Sequence, residues 1–466
     1  MLAAYLLTTA SSQLLVGKFY AFFNIKWVFL IALFMFGIGS AICGAAPNSI
    51  ALILGRAIAG CGNAGLLSGA LLIMAHSVPL ARCSLFTAIT GGVYGVAAIA
   101  GPPLGCVFTD KLSWRWCFYI NIPIGAIVLL VVAVFSRTPH VPQRPKPTSF
   151  WARIKRFDPI GTVVFMPAIV CILLALQWGG TTYAWKNGKD IALFVLFGVL
   201  ILAFPVVQRW AQDNATVPPR IFKLRTIWSC AQYQFSLGQA VQGVSAIESG
   251  KRTLPMLIGN MVGTTIAGVA VTIIGYYAPF MIAETVLTSI GGGLLTLLDP
   301  SVSSAVWIGF QALVGFGIGV GRQQPIVAVQ AAVDIKDVPI TTAIISFAQT
   351  IRDSLFVIVA QTAFSNKLVQ DIHATLPDWD PATIMANGAA DLASHIPSKY
   401  LTQVIHAYSN GLVQTFIVAT AMATLSIVGA CFVECRTIKS GKQGGTEAEM
   451  EATTMVDDPI RTNINV

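Results

Sequence analysis

SLFTAITGGVYGVAAIAGPPLGCVFTDKLSWRWCFYINIPIG, residues 84–125, reads as two apolar helices joined by a short polar turn. Gly91 and Gly95 are four apart, as are Gly101 and Gly105, so small residues line one helix face and allow a neighbouring backbone to approach closely. Pro102 and Pro103 remove backbone donors and are expected to interrupt the helix. Inside a bilayer such a break is tolerable only where protein or a water-filled cavity surrounds it. The stretch predicts either a tightly packed structural helix or a kinked one at an interface that rocks or slides.

The rest of the chain agrees with a membrane setting. At 466 residues, 55% hydrophobic and only 11% charged, it has too little polar surface to enclose a soluble core of that size. A span needs roughly 20 apolar residues, and about thirteen segments qualify: 1–17, 27–46, 50–75, 84–108, 115–136, 159–178, 190–208, 227–244, 254–274, 278–298, 305–333, 341–364 and 410–433. The net charge of +9 does not point to nucleic acid, because the basic residues collect in short loops rather than on one surface. Cysteines such as Cys43, Cys61, Cys106, Cys117 and Cys171 fall mostly within apolar segments, without metal-binding spacing, and read as packing residues. The N-terminal run lacks the basic region and cleavage site of a secretory signal and reads as part of a span.

Lys and Arg favour alternate loops, with Lys18 and Lys26, Arg82, Arg137 to Arg156, Arg209 to Arg225 and Arg436 to Lys442 on one side. Lys111, Lys186, Lys189, Lys251 and Arg252 are the exceptions. Since basic loops stay in the cytoplasm, the C-terminus is expected inside and the N-terminus outside. The sequon Asn214-Ala215-Thr216 then lies inside and is expected to remain unmodified. The expected divisions are an N-terminal bundle (1–136), a basic Pro-rich cytoplasmic loop (137–157), two linker helices (158–208), a cytoplasmic loop (209–226), a C-terminal bundle (227–434) and a disordered tail (435–466).

GGVYGVAAIAGPPLG resembles the antiporter signature carried on the fifth helix of proton-coupled exporters of the major facilitator superfamily. DKLSWRWCFYINIPIG is similar to the linkage into helix six of its drug:proton antiporter branch with fourteen helices, particularly the fungal members. The resemblance covers residues 1 to about 440 and implies an all-α polytopic fold of two pseudo-symmetric six-helix bundles with two extra linking helices. Family members begin in the cytoplasm with one more helix, whose acidic motif is linked to proton coupling, so that first helix is expected to be absent here. The Gln-rich segment 227–244 is also short for the family, which suggests an internal deletion.

Several residues are candidates for the work of such a protein. Arg56, Gly60 and Ala64 share a helix face, and an arginine in hydrocarbon needs an interior position with a partner unless it snorkels to an interface. The stretch resembles the fourth-helix motif in which the matching arginine is associated with proton transfer. Gly17 and Lys18, in VGKFYAFFNIKWVFL, occupy the place of the cytoplasmic gate motif but lack its Asp; interfacial anchoring is the other reading. VGFGIGVGRQQPIVAVQ resembles a pathway-lining glycine-rich twelfth helix, with Gln323, Gln324 and Gln330 as substrate-facing candidates; plain packing is the other reading. Glu284, Arg322, Arg352 and Asp353 are charges where the family is expected to be neutral. Arg322 is expected to pair with Asp353 and Glu284 to supply a titratable carboxylate, unless these charges mark relaxed constraint.

No HExxH, GxSxG, phosphate loop or His/Cys metal cluster is present, which argues against an enzyme. The sequence thus predicts proton-coupled efflux of drugs, secondary metabolites or toxins by alternating access. Gly91, Gly95, Gly101, Pro102, Gly105, Arg56 and Glu284 are the proton and gating candidates, and Arg322 and Asp353 join the glutamines along the pathway. The expected energy source is the proton gradient, with no cofactor or metal. The expected partners are lipid, protons and a small-molecule substrate, with no nucleic acid, and the chain is expected to act as a monomer in the plasma membrane, the vacuolar membrane being the alternative. Import of a nutrient or chelate, or a truncated relic without transport, are the competing readings.

Overall fold

Hydrocarbon offers a backbone no water to bond, so each apolar run satisfies its own amides by forming a helix. The computed structural model describes residues 2–136, 156–179, 187–237, 248–297, 302–375 and 398–438, and no strand occurs among them. The basic loop at 137–155, the stretch 238–247 where a deletion was suspected and the tail from 439 onward lie outside the described residues.

A first group comprises α1 (Leu2–Phe22), α2 (Ile25–Ala45), α3 (Ser49–Ser77), α4 (Leu80–Lys111), the short α5 (Trp116–Tyr119) and α6 (Asn121–Phe135). A hairpin of α7 (Pro159–Trp178) and α8 (Gly188–Ala211) follows. The short α9 (Pro219–Phe222) leads to a second group: α10 (Arg225–Ser236), α11 (Glu248–Ile274), α12 (Ala278–Leu295), α13 (Ser304–Gly321), α14 (Gln324–Ala332), α15 (Val338–Thr375) and α16 (Ser398–Phe432). Asn24, Asn48 and Asn187 start α2, α3 and α8 by accepting from the backbone N–H of Lys26 (2.9 Å), Ala51 (2.8 Å) and Lys189 (3.0 Å).

Eleven helical segments among the described residues are long and apolar enough to cross a membrane. Two of the thirteen expected spans are not among them. The helix α1 carries the polar run TTASSQ, and α10 is described only as far as Ser236. Three further expectations need correction. Residues 80–111 form one 32-residue helix, so the expected interruption at Pro102 and Pro103 does not occur: two missing donors remove hydrogen bonds without ending a helix of that length. The expected span 305–333 stands as one membrane-long segment, Ala305–Ala332, but its helix is interrupted at Arg322–Gln323, between α13 and α14. The expected spans 341–364 and 410–433 are also too short, since α15 runs for 38 residues and α16 for 35. At about 1.5 Å per residue both exceed roughly 30 Å of hydrocarbon. Their far ends pair through Leu368, Ile372, Val404 and Ala407, with the Asp371 carboxylate accepting from Lys367 (2.8 Å) and Asn410 (2.9 Å).

Small residues set the packing inside each group. A Cβ on Gly39 would overlap Ala59 on α3, and one on Gly62 would stand 2.6 Å from the Phe36 amide on α2. Likewise, α11 presents Gly259 and Gly263 to α13, which returns Gly315 and Gly319 against Met256 and Asn260. Most of the glycine-rich twelfth-helix motif is thus helix packing.

The α7–α8 hairpin is fastened at the end bordered by the basic loops. Asp158, in the left-handed region at φ 48°, caps α7 by accepting from the Gly161 amide (2.8 Å). It also accepts from Gln208 (2.8 Å) and from the amide (2.8 Å) and hydroxyl (2.9 Å) of Thr216. Burial pushes the Asp158 carboxyl up, but these hydrogen bonds outweigh it and hold it below the usual carboxylate range. Its contribution is complete at neutral pH and is lost as pH falls through that lowered value. Asp158→Ala should cost about 1–3 kcal/mol of stability, because buried donors lose their acceptor. Thermal unfolding of the purified protein at neutral pH tests this, and a melting curve matching wild type would contradict it.

Candidate functional site

Two seams join the groups. At the first, α1 meets α15: a Cβ on Gly17 would overlap that of Ala343 and stand 3.4 Å from the Pro339 carbonyl oxygen. At the second, α4 meets α11. A Cβ on Gly268 would overlap that of Ala88, one on Gly91 would stand 2.7 Å from Thr264, and one on Gly95 would stand 3.4 Å from Met261. These contacts occupy the half of each helix nearer the basic loops. Beyond Gly95 no described residue of α4 is buried, and a Cβ on Gly101 or Gly105 would have nothing described within 4 Å. Pro102 belongs to this stretch. The four signature glycines therefore divide into a packed pair and an unpacked pair.

Lys18 is 2% exposed and donates to the backbone carbonyls of Arg156 and Asn214, which fixes α1 to both feet of the α7–α8 hairpin. Nearby, Arg220 pairs with Asp337 at 3.1 Å. The basic end is thus closed by small-residue contacts and polar ties.

Within the second group, reaching the first only where Arg322 lies over Tyr94, is a buried polar cluster. Glu284, on α12, is fully buried; one carboxylate oxygen accepts from the Tyr233 hydroxyl on α10, and the other has no hydrogen-bond partner. Gly321 leaves the room for this pair, since a Cβ there would overlap the carboxylate and crowd the tyrosine. The arginines at 352 and 322 are the charged neighbours of Glu284. Arg352, also fully buried, donates to Asp353 at 2.7 and 3.0 Å and to the Gln234 carbonyl at 3.2 Å. Asp353 therefore pairs with its chain neighbour rather than with Arg322. Arg322 sits where α13 gives way to α14, and its guanidinium lies 5.3 Å from the Tyr94 ring centre on α4. Its Nε is buried without a partner.

Tyr94 is 57% exposed, yet its neighbours are Arg322 from one group and Tyr5 from the other, so its free face looks into the gap between them. Arg56 is half-buried between the rings of Tyr5 (5.3 Å) and Phe118 (5.1 Å), held by cation–π contacts rather than by a carboxylate. Of the glutamines, Gln323 is half-buried beside Gly91, facing the second seam. Gln324 and Gln330 are buried; the Gln324 carbonyl and both polar atoms of the Gln330 amide lack partners. Sequence reasoning missed Tyr233 and Gln234, which lie in the Gln-rich run IWSCAQYQFS. The signal was there in a polar stretch that an apolar bundle has no other reason to bury.

Comparison with known proteins places this geometry in context. The model of the Major Facilitator Superfamily matches residues 1–356. The chain is 58% identical over 461 residues to the aspyridones efflux protein of Neocamarosporium betae, covering 96% of this chain and 82% of the relative. It is 48% identical over 455 residues to the MFS-type efflux pump MFS1 of Trichophyton rubrum, covering 94% and 84% respectively. Among solved structures it is similar to the human organic anion transporter MFSD10 (TM-score 0.57, 12% identity, 93% of this chain and 82% of that one). The proton:xylose symporter XylE is similar in the same way (TM-score 0.56, 12% identity, 94% and 86%). At such identities the structural likenesses speak for the fold alone.

The division of the glycines makes a direct test. Gly321→Ala should destabilise the protein by about 1–3 kcal/mol by forcing Glu284 and Tyr233 aside. Gly101→Ala should fall within about 0.5 kcal/mol of wild type. Thermal unfolding of the two variants side by side checks the contrast, and equal effects would refute the placement.

Proposed function

The chain belongs to the Major Facilitator Superfamily and is an integral membrane transporter of small organic compounds, and from that premise we propose that it is a proton-coupled exporter of fungal secondary metabolites working by alternating access. The observation that carries this reading is the asymmetry of the seams. They are closed at the basic end through Gly17–Ala343 and Gly268–Ala88 and loosely packed at the other end, where no described residue of α4 beyond Gly95 is buried, and the second group's polar cluster reaches the seam through Arg322 over Tyr94. That is the geometry of a carrier with its pathway facing away from the cytoplasm. Parting the closed contacts and bringing together the open ones would turn the pathway around.

Small-residue contacts suit such a movement, because they are shape-matched but carry no strong directional bond that must be broken on each cycle. The gap is lined by ring faces and amides, Tyr5, Tyr94 and Gln323 among them, which fits compact, fairly apolar organic molecules. The aspyridones handled by the 58% identical relative are the first compounds to try. The proton gradient supplies the energy without a bound cofactor, the plasma membrane is the site of action and one chain suffices. The relic reading is disfavoured by the fitted surroundings of the buried charges: Gly321 vacates the space that Glu284 and Tyr233 fill, and Arg352 holds a carboxylate at 2.7 Å.

In membrane vesicles turned inside out, an acid lumen should drive uptake of aspyridones about tenfold or more above uptake without a gradient. A cysteine pair at Gly17 and Ala343 should arrest that uptake when oxidised and restore it when reduced. Equal uptake with and without the gradient would remove proton coupling, and full transport by the cross-linked protein would remove alternating access.

A further inference from the structure

The seams bear on where the transported proton sits. An arginine does not release its proton, so Arg56, Arg322 and Arg352 are excluded as carriers. Of the two carboxyls in the buried cluster, Asp353 takes two hydrogen bonds from Arg352 and is committed as its counter-ion. Glu284 is different. It is fully buried, it has no arginine within ion-pair distance, and its second oxygen is without a partner. A carboxylate has no means of staying charged in such a place unless a cation comes to it.

Of its two neighbouring arginines, Arg352 is engaged with Asp353 and the Gln234 carbonyl, which leaves Arg322, and in this structure Arg322 is turned to the other group, over the ring of Tyr94. Tyr94 stands on α4 beside Gly91 and Gly95, which form the second seam. Any motion that parts α4 from α11 at that seam also draws the ring away from the guanidinium. We propose that Glu284 is the proton-carrying group of this transporter, and that Arg322, parked on Tyr94 while the basic end is closed, is released to Glu284 when that end opens and displaces the proton to the cytoplasmic side.

The assignment rests on the reading of the chain as a proton-coupled exporter and names the site within it. The balance is simple. From the outer side one proton joins the unpartnered oxygen of Glu284, while Tyr233 continues to donate to the other oxygen. On the inner side that O–H bond breaks, the proton leaves to water, and the carboxylate is held by Arg322. The remaining groups around Glu284 fit this role. Tyr233 faces it from α10, with Cys230 beside the tyrosine; Arg352 from α15 is already engaged with Asp353, and α16 contributes Ser426, which is bonded to Thr285, the residue after Glu284, at 3.0 Å. The sequence of states also has the right sense for export, since a carrier open to the outside with a protonated carboxyl has released its cargo and loaded its proton.

Infrared difference spectroscopy of the full chain in lipid nanodiscs reads the carboxyl directly and requires no substrate. At neutral pH the wild type should show the carbonyl band of a protonated carboxyl, absent in Glu284→Gln. Tyr94→Leu removes a ring that is more than half exposed, so the fold should tolerate it. It should lose the band by freeing Arg322, whereas Tyr94→Phe, with its ring intact, should keep it and Tyr94→Leu/Arg322→Gln should regain it. A wild-type spectrum without the band, a band that survives in Glu284→Gln, or one indifferent to Tyr94→Leu overturns the proposal. In inside-out vesicles, Glu284→Gln should lose the gradient-driven component of aspyridone uptake and retain exchange down a concentration gradient. Gradient-driven uptake that persists in Glu284→Gln overturns this assignment while leaving proton-coupled export standing; its absence in the wild type strikes the export reading itself, and the infrared band still decides the site.

Discussion

Placing an ionised side chain in hydrocarbon costs at least about 2.5 kcal/mol, and the structure is arranged around meeting that cost on five spanning-helix residues. Each is compensated differently. Arg56 lies between two aromatic rings, Arg352 has a carboxylate and a backbone carbonyl, and Asp353 has Arg352. Glu284 has a tyrosine hydroxyl, and Arg322 has one ring face. The last two are the least well compensated, and they are neighbours. A guanidinium and a carboxyl held close but apart form a device with two low-energy arrangements, and the seam beside Tyr94 is placed to choose between them.

Glycine does two kinds of work around this cluster. Within the groups it permits permanent close packing, as where Gly259 and Gly263 interlock with Gly315 and Gly319. At the seams Gly17, Gly91 and Gly268 permit approach between surfaces that have to separate again. The chemistry is the same in both cases. What differs is how long the matched surfaces run: α11 and α13 interlock along several turns, whereas at the α4–α11 seam Gly91 and Gly268 meet neighbours closely and Gly101 and Gly105 meet none among the described residues.

Much of this was legible in the sequence, for identifiable reasons. Composition alone sets a membrane protein, and the spacing of Gly91 and Gly95 forecasts a packed face that the structure contains. The same spacing misleads at Gly101 and Gly105, because a pattern reports what a helix face permits and not whether a neighbour is there to use it. Pro102 and Pro103 read as a break because each removes a hydrogen bond, while the helix retains enough others not to end there. The expected pairing of Asp353 with Arg322 leaves out its own chain neighbour. The Arg352 side chain is long enough to bring its guanidinium to the neighbouring carboxylate. The Asp158-Pro159 pair is a readable helix start, a capping acid followed by proline in the first turn, and the span expected from 159 begins where the helix does.

The α7–α8 hairpin shows how an addition between two groups need not lock them together. Its feet are bound by directional bonds to the first group, through Lys18 on α1, and to themselves, through Asp158, Gln208 and Thr216. Toward the second group it offers the ring of Phe165, packed 5.0 Å from Phe347 on α15. Hydrogen bonds hold a fixed geometry, while apolar ring contacts tolerate sliding at little cost. The hairpin is therefore bound to α1 by buried hydrogen bonds, while across the first seam it meets the start of α15 through ring contact and the half-exposed Arg220 bridge from Asp213 to Asp337. If the groups rock, it travels with α1, and a sliding ring contact and a solvent-screened ion pair are the ties that α15 has to work against.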